Sequence, residues 1–456
     1  MSTRRNFIKK MAIGTAGAFS VPFVVPASVL SPSAPSNQLN IGSIGNGRIS
    51  RSHDLPRIWK SDKVRIVAAC DLDLNRLSDA KKLIDEHYSK VLNRSYNGTT
   101  TYQYYQDLLD NKDIDAVVIS TPDHWHARIA IDAAYAGKDI YLQKPMSLTI
   151  EEGRKISDAV NRTGRIFQIG SQYRSMEAYR VGCELVRNGR IGRLLEVDVR
   201  MPVDPAGGNK TEMPVPKTFD YKMWLGSTPE VYYTEERVHP QSGYGRPGWL
   251  RCEQFGSGMI TGWGAHLFDL AQWGMDTEHT GPVEIFSEAE FPKDGLWDVH
   301  GNFHSEMMYE NGIKLTARNE TKEYPSGVHF KGTDGWLFIS VGGNLPVTSS
   351  DPVAIRLGKT LNASDPKILS SEIGANETHL YVSEDHHLNW IDSIISRQRA
   401  ASTAEIAHRT CSVCLLQHIS MKLKQKLYWD PKAETFINND EANAMISRTR
   451  KMPFSI

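Results

Sequence analysis

LNIGSIGNGRIS, Leu39–Ser50, sets a short apolar run directly against a glycine-rich turn, Gly45-Asn46-Gly47-Arg48-Ile49-Ser50. In such a turn the first glycine permits a tight bend. The second lets a pyrophosphate approach the backbone, and the third lets helix and strand pack closely. Ser50 stands at the third position, small but not glycine. Alone, this spacing is a weak signal, and its surroundings strengthen it. A helix is predicted next, then KVRIVAACDLD, a buried strand that ends at Asp71. An acidic residue roughly twenty positions on is where the ribose hydroxyls of a dinucleotide are gripped. Asp71 would repel a 2′-phosphate, so NAD is favoured, while Arg48 and Arg76 keep NADP as the lesser option.

The alternation continues outward from that turn. TYQYYQDLLDN reads as a helix, IDAVVIS as a strand, HWHARIAIDAAYAGK as a helix closed by Gly137, and DIYLQ as a strand. TIEEGRKISDAVNRTG is a helix closed by Gly164, and RIFQIGSQYR is a strand. This repetition predicts an α/β fold with a doubly wound parallel sheet over residues 38–170. Ligands of such sheets lie outside the carboxyl ends of the strands. Thr121, Pro122, His124 and His126 follow one strand end, and Gln143, Lys144 and Pro145 follow another. Both groups point at the cofactor edge. Pro145 stops its strand, because it has no N–H for the ladder. Lys144 at that end is either a proton carrier in a partly desolvated crevice or a side chain reaching for solvent.

The chain has 456 residues, enough for two domains. Lys and Arg number 53, as do Asp and Glu, so the net charge is zero and nothing points to nucleic acid or an anionic membrane surface. Five cysteines are too few and too scattered for a disulfide framework. Cys411-Ser-Val-Cys414 lies in a helical pattern and reads as two small residues on a packed face rather than a redox or metal motif. At the N-terminus, TRRNFIK precedes an apolar segment broken by small residues and prolines. That pattern reads as a twin-arginine signal over residues 1–34 rather than a stable membrane span. The expectations are processing near residues 27–35, the twin-arginine translocation machinery as a partner, and a periplasmic location. Export in the folded state also implies a tightly held cofactor.

Gly45-x-Gly47, CDLD, STPDHWH and QKP, in that order, resemble the Gfo/Idh/MocA family of nicotinamide oxidoreductases. GSQYRSMEAYRVGCELVRNGRIGRLLEVDV, GMITGWGAHLFDLAQWGM and EAEFPKDGLWDVHGNFHSEMMYENGIKLTARN extend the resemblance over the whole mature chain. It implies a second α/β domain over residues 171–456, built on a large, mainly antiparallel sheet, with terminal helices packing back on the first domain. It implies a carbohydrate or polyol substrate between that sheet and the nicotinamide, and association into a dimer or tetramer. Lys144 matches the family's catalytic lysine and His266 its helix histidine. Two departures stand out: Gln143 replaces the usual acidic residue before the lysine, and Gly262 replaces an aspartate four residues before His266. Gln143 is expected to give the lysine a neutral neighbour.

Tyr173 and Arg174, at another strand end, and Asp269, three residues after His266, are expected substrate contacts or domain-junction residues. A long loop bearing Trp224, Tyr232, Tyr233, Tyr244 and Trp249 is expected to form a sugar platform or a plain cover. His300 and His304 would share a strand face. With His266 they could meet at a metal, but histidines on a polar sheet face usually have a plain hydrogen-bonding role, and no metal is expected. Glu405, His408 and Arg409 are expected to tie the domains together. The reading is an exported oxidoreductase acting on a sugar, glycoside or polyol hydroxyl. The alternatives are a redox-neutral, NAD-recycling glycosidase or lyase, and a non-catalytic sugar-binding protein.

Overall fold

In the computed structural model, residues 38–341, 360–454 and 456 are described. The export signal expected at residues 1–34 lies outside them. Six strands form the first sheet: β1 (Leu39–Ile44), β2 (Val64–Cys70), β3 (Thr100–Tyr102), β4 (Ala116–Ile119), β5 (Asp139–Leu142) and β6 (Phe167–Ile169). All pair in parallel, in the order β3-β2-β1-β4-β5-β6. The chain reverses its winding between β1 and β4, which opens a crevice at their carboxyl ends. The helices on this sheet are α1 (Leu55–Ile58), α2 (Leu74–Leu92), α3 (Tyr105–Asp110), α4 (Asp123–Tyr135) and α5 (Ile150–Thr163). Their ends carry ordinary stop and start chemistry. Thr149 caps α5 by accepting from the Glu152 N–H at 3.3 Å, Glu152 returns a bond to the Leu148 N–H, and Gly164 closes the helix at φ +63°.

Two elements differ from the sequence expectation. TYQYYQDLLDN is not one helix: Thr100–Tyr102 pair with β2 as an edge strand, and only Tyr105–Asp110 are helical. The threonines and tyrosines of that stretch suit a strand once β2 offers its edge. The helix after the glycine turn is short and opens with a widened π turn, Ser50–Asp54, before α1. Pro56 lies just beyond that turn and has no N–H to return to the carbonyl four residues back.

The second sheet has nine strands: β7 (Leu194–Met201), β8 (Glu284–Ala289), β9 (Phe303–Met308), β10 (Lys314–Asn319), β11 (Gly327–Gly332), β12 (Trp336–Ser340), β13 (Leu361–Ala363), β14 (Leu427–Asp430) and β15 (Thr435–Phe436). The order is β13-β12-β11-β7-β10-β9-β8-β14-β15, antiparallel except between β7 and β10. Helices α6 (Glu177–Arg187), α7 (Tyr221–Leu225), α8 (Met259–Gly262), α9 (Gly264–Met275), α10 (Pro366–Leu369), α11 (His386–Ser396), α12 (Ala404–Leu423) and α13 (Asp440–Ala444) complete the chain.

Helix α12 is buried on almost every face; from Ala404 to Met421 only Glu405 and Arg409 are not. It touches β8 and α9 of the second sheet's layer as well as α5 and β6 of the first. A helix packed between two layers needs no polar stripe. Cys411 and Cys414 are free and buried; the Cys414 Sγ would lie only 3.2 Å from a Cβ on Gly264, so this contact has no room for a larger side chain. The polar exceptions tie the layers together. Arg154 of α5 makes paired bonds to Glu405 at 2.7 and 2.9 Å and reaches Glu434, which also receives His408 and Arg409. Among the described residues, no helix is long and apolar enough to cross a membrane.

Candidate active site

The parallel register lines up five strand ends. The Gly45 N–H bonds the Cys70 carbonyl at 2.9 Å, Ser120 that of Ile44 at 2.8 Å, Gln143 that of Ile119 at 2.9 Å, and Gly170 that of Leu142 at 2.8 Å. Residues just past these ends wall one cavity: Gly45 to Ile49, Asp71, Arg76, Ser120 to Asp123, Gln143 and Lys144.

Gly45 sits at φ +82°, and a Cβ there would meet the Ser120 carbonyl carbon at 2.8 Å. Around Gly47 the nearest atom to a built Cβ is Nη1 of Arg76, at 3.7 Å, so space is left over the backbone. Ser50 fits the third position because its hydroxyl joins a buried polar group. It lies 3.3 Å from the Ser43 hydroxyl, which donates to Asn46 Oδ1 at 2.9 Å. The Asn46 side chain then donates to the Cys70 carbonyl, and its backbone N–H to Asp71 at 2.8 Å. Burial raises the Asp71 pKa, and the Asn46 and Asp73 N–H groups work against that rise.

At the other end, the Lys144 Nζ donates to the Gly262 carbonyl at 3.1 Å. Where the family places an aspartate, this chain thus offers a backbone oxygen. Gln143 itself is neutral, and its amide reaches a buried acid. The Gln143 amide donates to Asp54 Oδ1 at 2.7 Å, and Asp54 is fully buried. Asp54 also accepts from Ser120 at 2.7 Å and lies 3.0 Å from His387 Nε2. Burial pushes its pKa up, but the bond and charge of His387, with the His53 charge and the Ser120 bond, together hold it below the ordinary value.

His266 and Asp269 of α9 both face the turn Gln172–Ser175, as their spacing predicts, yet neither lines the cavity. The His266 ring lies 4.7 Å from that of Tyr173. Asp269 holds Arg174 through two bonds at 2.7 and 2.8 Å, and Arg174 also reaches Glu278. His124 and His126 turn inward from α4. His124 meets the Trp224 carbonyl at 2.8 Å; the His126 ring lies between the carbonyls of Pro145 and Thr121, at 2.7 and 2.9 Å, and in its neutral form donates to one of them. Burial lowers their pKa values to about 3 and about 4. His300 contacts Phe303 and the Gly301 carbonyl, and His304 lies 3.4 Å from Glu306.

Two contributors escaped the sequence reading. Asp123, the first residue of α4, is 3% exposed and lines the cavity with Lys144. Burial raises its carboxyl well above the ordinary value, and the Lys144 charge opposes this. It stands inside STPDHWH between Pro122 and His124, so its position is legible in the sequence. That of Asp54 is not, because only the fold brings it behind Gln143. The long aromatic loop, expected as a sugar platform or a plain cover, lies over the crevice. Met223, Trp224, His239, Gly245, Pro247, Trp249 and Leu250 line the cavity, whereas Phe219, Tyr221 and Tyr233 build a small core of their own.

These residues fit a dinucleotide. Gly47 leaves backbone open, Asp71 stands just past the end of β2, and the Thr121 Oγ1 is buried without a hydrogen-bond partner among the described residues. Comparison with known proteins agrees. The family described as Gfo/Idh/MocA oxidoreductase, NAD-binding Rossmann fold, matches residues 39–171, and its C-terminal alpha/beta domain matches residues 206–355 and 367–456. A glycosyl hydrolase family 109 protein of Shewanella pealeana is 28% identical over 205 residues, 42% of this chain and 44% of that protein, so the chain spans under half of that relative. The WlbA dehydrogenase of Bordetella pertussis, solved with NADH and UDP-GlcNAcA, superposes with TM-score 0.60 at 16% identity, over 86% of this chain and 99% of the other. The aldose-aldose oxidoreductase of Caulobacter crescentus, solved with glycerol, gives 0.59 at 16%, with the same coverage.

Proposed function

Because the chain belongs to the Gfo/Idh/MocA oxidoreductase family, we propose that it binds NAD in this cavity and acts on a hydroxyl-bearing carbon of a sugar, glycoside or polyol. The observation that carries the reading is Lys144, a buried cation at the end of β5 on the wall of the glycine-turn cavity. When bound, the nicotinamide supplies a hydride acceptor and donor. Gly45 to Ile49 hold the pyrophosphate against open backbone, and Asp71 takes the ribose hydroxyls. Lys144 removes or returns the hydroxyl proton. Asp123, buried on the same wall, is the carboxyl that shares that proton in place of the aspartate missing at 262. His266 and Tyr173 back the substrate side from α9 and the turn before α6. Twin-arginine export to the periplasm and assembly as a homo-oligomer belong to the same proposal and rest on the sequence alone.

The test is Lys144→Met. Turnover should fall by at least about a hundredfold, the usual scale for a lost general base, with dinucleotide still bound. Asp123→Asn should lower turnover less and move the pH profile. Full activity in Lys144→Met would remove the lysine from the mechanism. The family 109 relatives favour one second reading, a redox-neutral cleavage of a glycoside. A released aglycone without net NADH would identify that route, and an accumulating keto-sugar the first.

A further inference from the structure

The aromatic loop between β7 and α8 does more than roof the crevice. It is fastened to the segment that follows Asp71. Asp73 and Phe219 form an antiparallel bridge, with the Leu74 N–H on the Thr218 carbonyl at 2.9 Å and the Asp220 N–H on that of Leu72 at 3.2 Å. Further along the loop, His239 and Gln241 reach Asp73 at 3.1 and 3.3 Å, and Arg76 donates to the Pro240 carbonyl at 2.9 Å. Tyr244 completes the closure. Its ring centre lies 4.3 Å from the Arg51 guanidinium and 4.7 Å from that of Arg76, and its hydroxyl donates to Asp79 at 2.9 Å.

The placement of this fastening matters. Asp71 and Arg76 line the cavity at the end where the adenosine of a dinucleotide belongs, and Gly245 and Pro247, next to Tyr244, line it too. A cofactor lying along β1 is therefore enclosed between the glycine turn and residues 239–250. Release past that side would require the contacts of Tyr244, Pro240 and Gln241 to part. Cation–π contacts and a charge-accepting hydrogen bond each add to that barrier.

We propose that residues 239–250 are a clamp, keyed by Tyr244 between Arg51 and Arg76, that makes the dinucleotide a resident group rather than an exchanging cosubstrate. The idea rests on the dinucleotide reading above and sharpens it. A resident cofactor must be returned to its starting redox state on the protein. That restricts the reaction to redox-neutral conversions or to those in which a second carbonyl substrate takes the hydride back. In either case one substrate carbon loses a hydride and the same or another carbon receives it, so electrons balance without an outside pool.

The full chain would be purified, its bound nucleotide counted after denaturation, and its exchange followed by mass spectrometry against isotopically labelled NAD. Wild type should retain close to one equivalent and exchange slowly. Tyr244→Ala should exchange at least roughly tenfold faster, with an unchanged thermal midpoint after the nucleotide is stripped. Tyr244→Phe, which keeps the stacking and loses only the Asp79 bond, should fall between, and it serves if the alanine variant does not fold. Rapid exchange in wild type, or equal rates in wild type and variants, would overturn the clamp alone. A protein that neither carries nor binds NAD or NADP would overturn the clamp together with the dinucleotide reading.

Discussion

Gly45 and Gly47 are two letters apart, and the structure gives them different jobs. Gly45 is needed by the fold itself: its φ is +82° and backbone atoms of Ser120 and Thr121 stand within 2.9 Å of a Cβ. A left-handed conformation alone costs a side chain about 1–2 kcal/mol, and here a backbone clash adds to it. Gly45→Ala should therefore lose about 2 kcal/mol or more of stability. Gly47 has room for a methyl group, since the nearest atom is at 3.7 Å. Gly47→Ala should melt like wild type yet bind dinucleotide more weakly, because the methyl fills the approach path of the pyrophosphate. Thermal unfolding and equilibrium binding, done on both variants, check the pair; equal losses in both assays would mean that Gly47 is merely structural.

Among the elements, α11 illustrates how a helix remote in sequence completes the first domain. Asp385 caps it and binds Lys60 at 2.9 Å, and Lys63 binds Asp392 at 2.7 Å. These exposed pairs contribute little. The deeper contact is His387 on Asp54, with the His387 ring stacked 4.4 Å from Tyr141. Asp54 in turn holds the Gln143 amide beside Lys144. His387→Ala would leave a buried carboxylate short of a strong partner, so a loss of about 2–3 kcal/mol is expected. Chemical denaturation measures this. A loss under half that size would show that water or Ser120 already satisfies Asp54.

The whole molecule carries an acid sensitivity. Burial holds the imidazoles of His53, His126 and His300 at about 4 and those of His124 and His386 at about 3. An unfolded histidine titrates near 6.5, so between these values the unfolded chain binds more protons than the folded one. Stability from these groups is complete at neutral pH and drains away as pH falls from about 6.5 toward 4. Asp204, raised to about 6 by burial, acts in the opposite direction. His300→Gln isolates one histidine away from the cavity. The stability gap between wild type and this variant should narrow as pH drops through that window, measured by thermal unfolding at successive pH values. A gap constant from pH 7 to 4 would mean that His300 is not held neutral.

Much of this was legible in the sequence for a physical reason: strand and helix periods, glycine turns and strand-end prolines are local, and they repeat. The βαβ alternation, the glycine turn, Asp71 and the placement of Lys144 at a strand end all follow from that local code. The C-terminal sheet came from resemblance, since its strands alternate too weakly to stand alone. Interactions between distant segments were not legible. Asp54 behind Gln143, and the fastening of the loop near residue 244 to residues 71–79, join positions separated by about ninety to 170 residues. The sequence by itself determined that a dinucleotide-type crevice exists and which strand ends face it. Only the tertiary structure decided where the buried charges sit and what closes the crevice, because both depend on which side chains share a desolvated space.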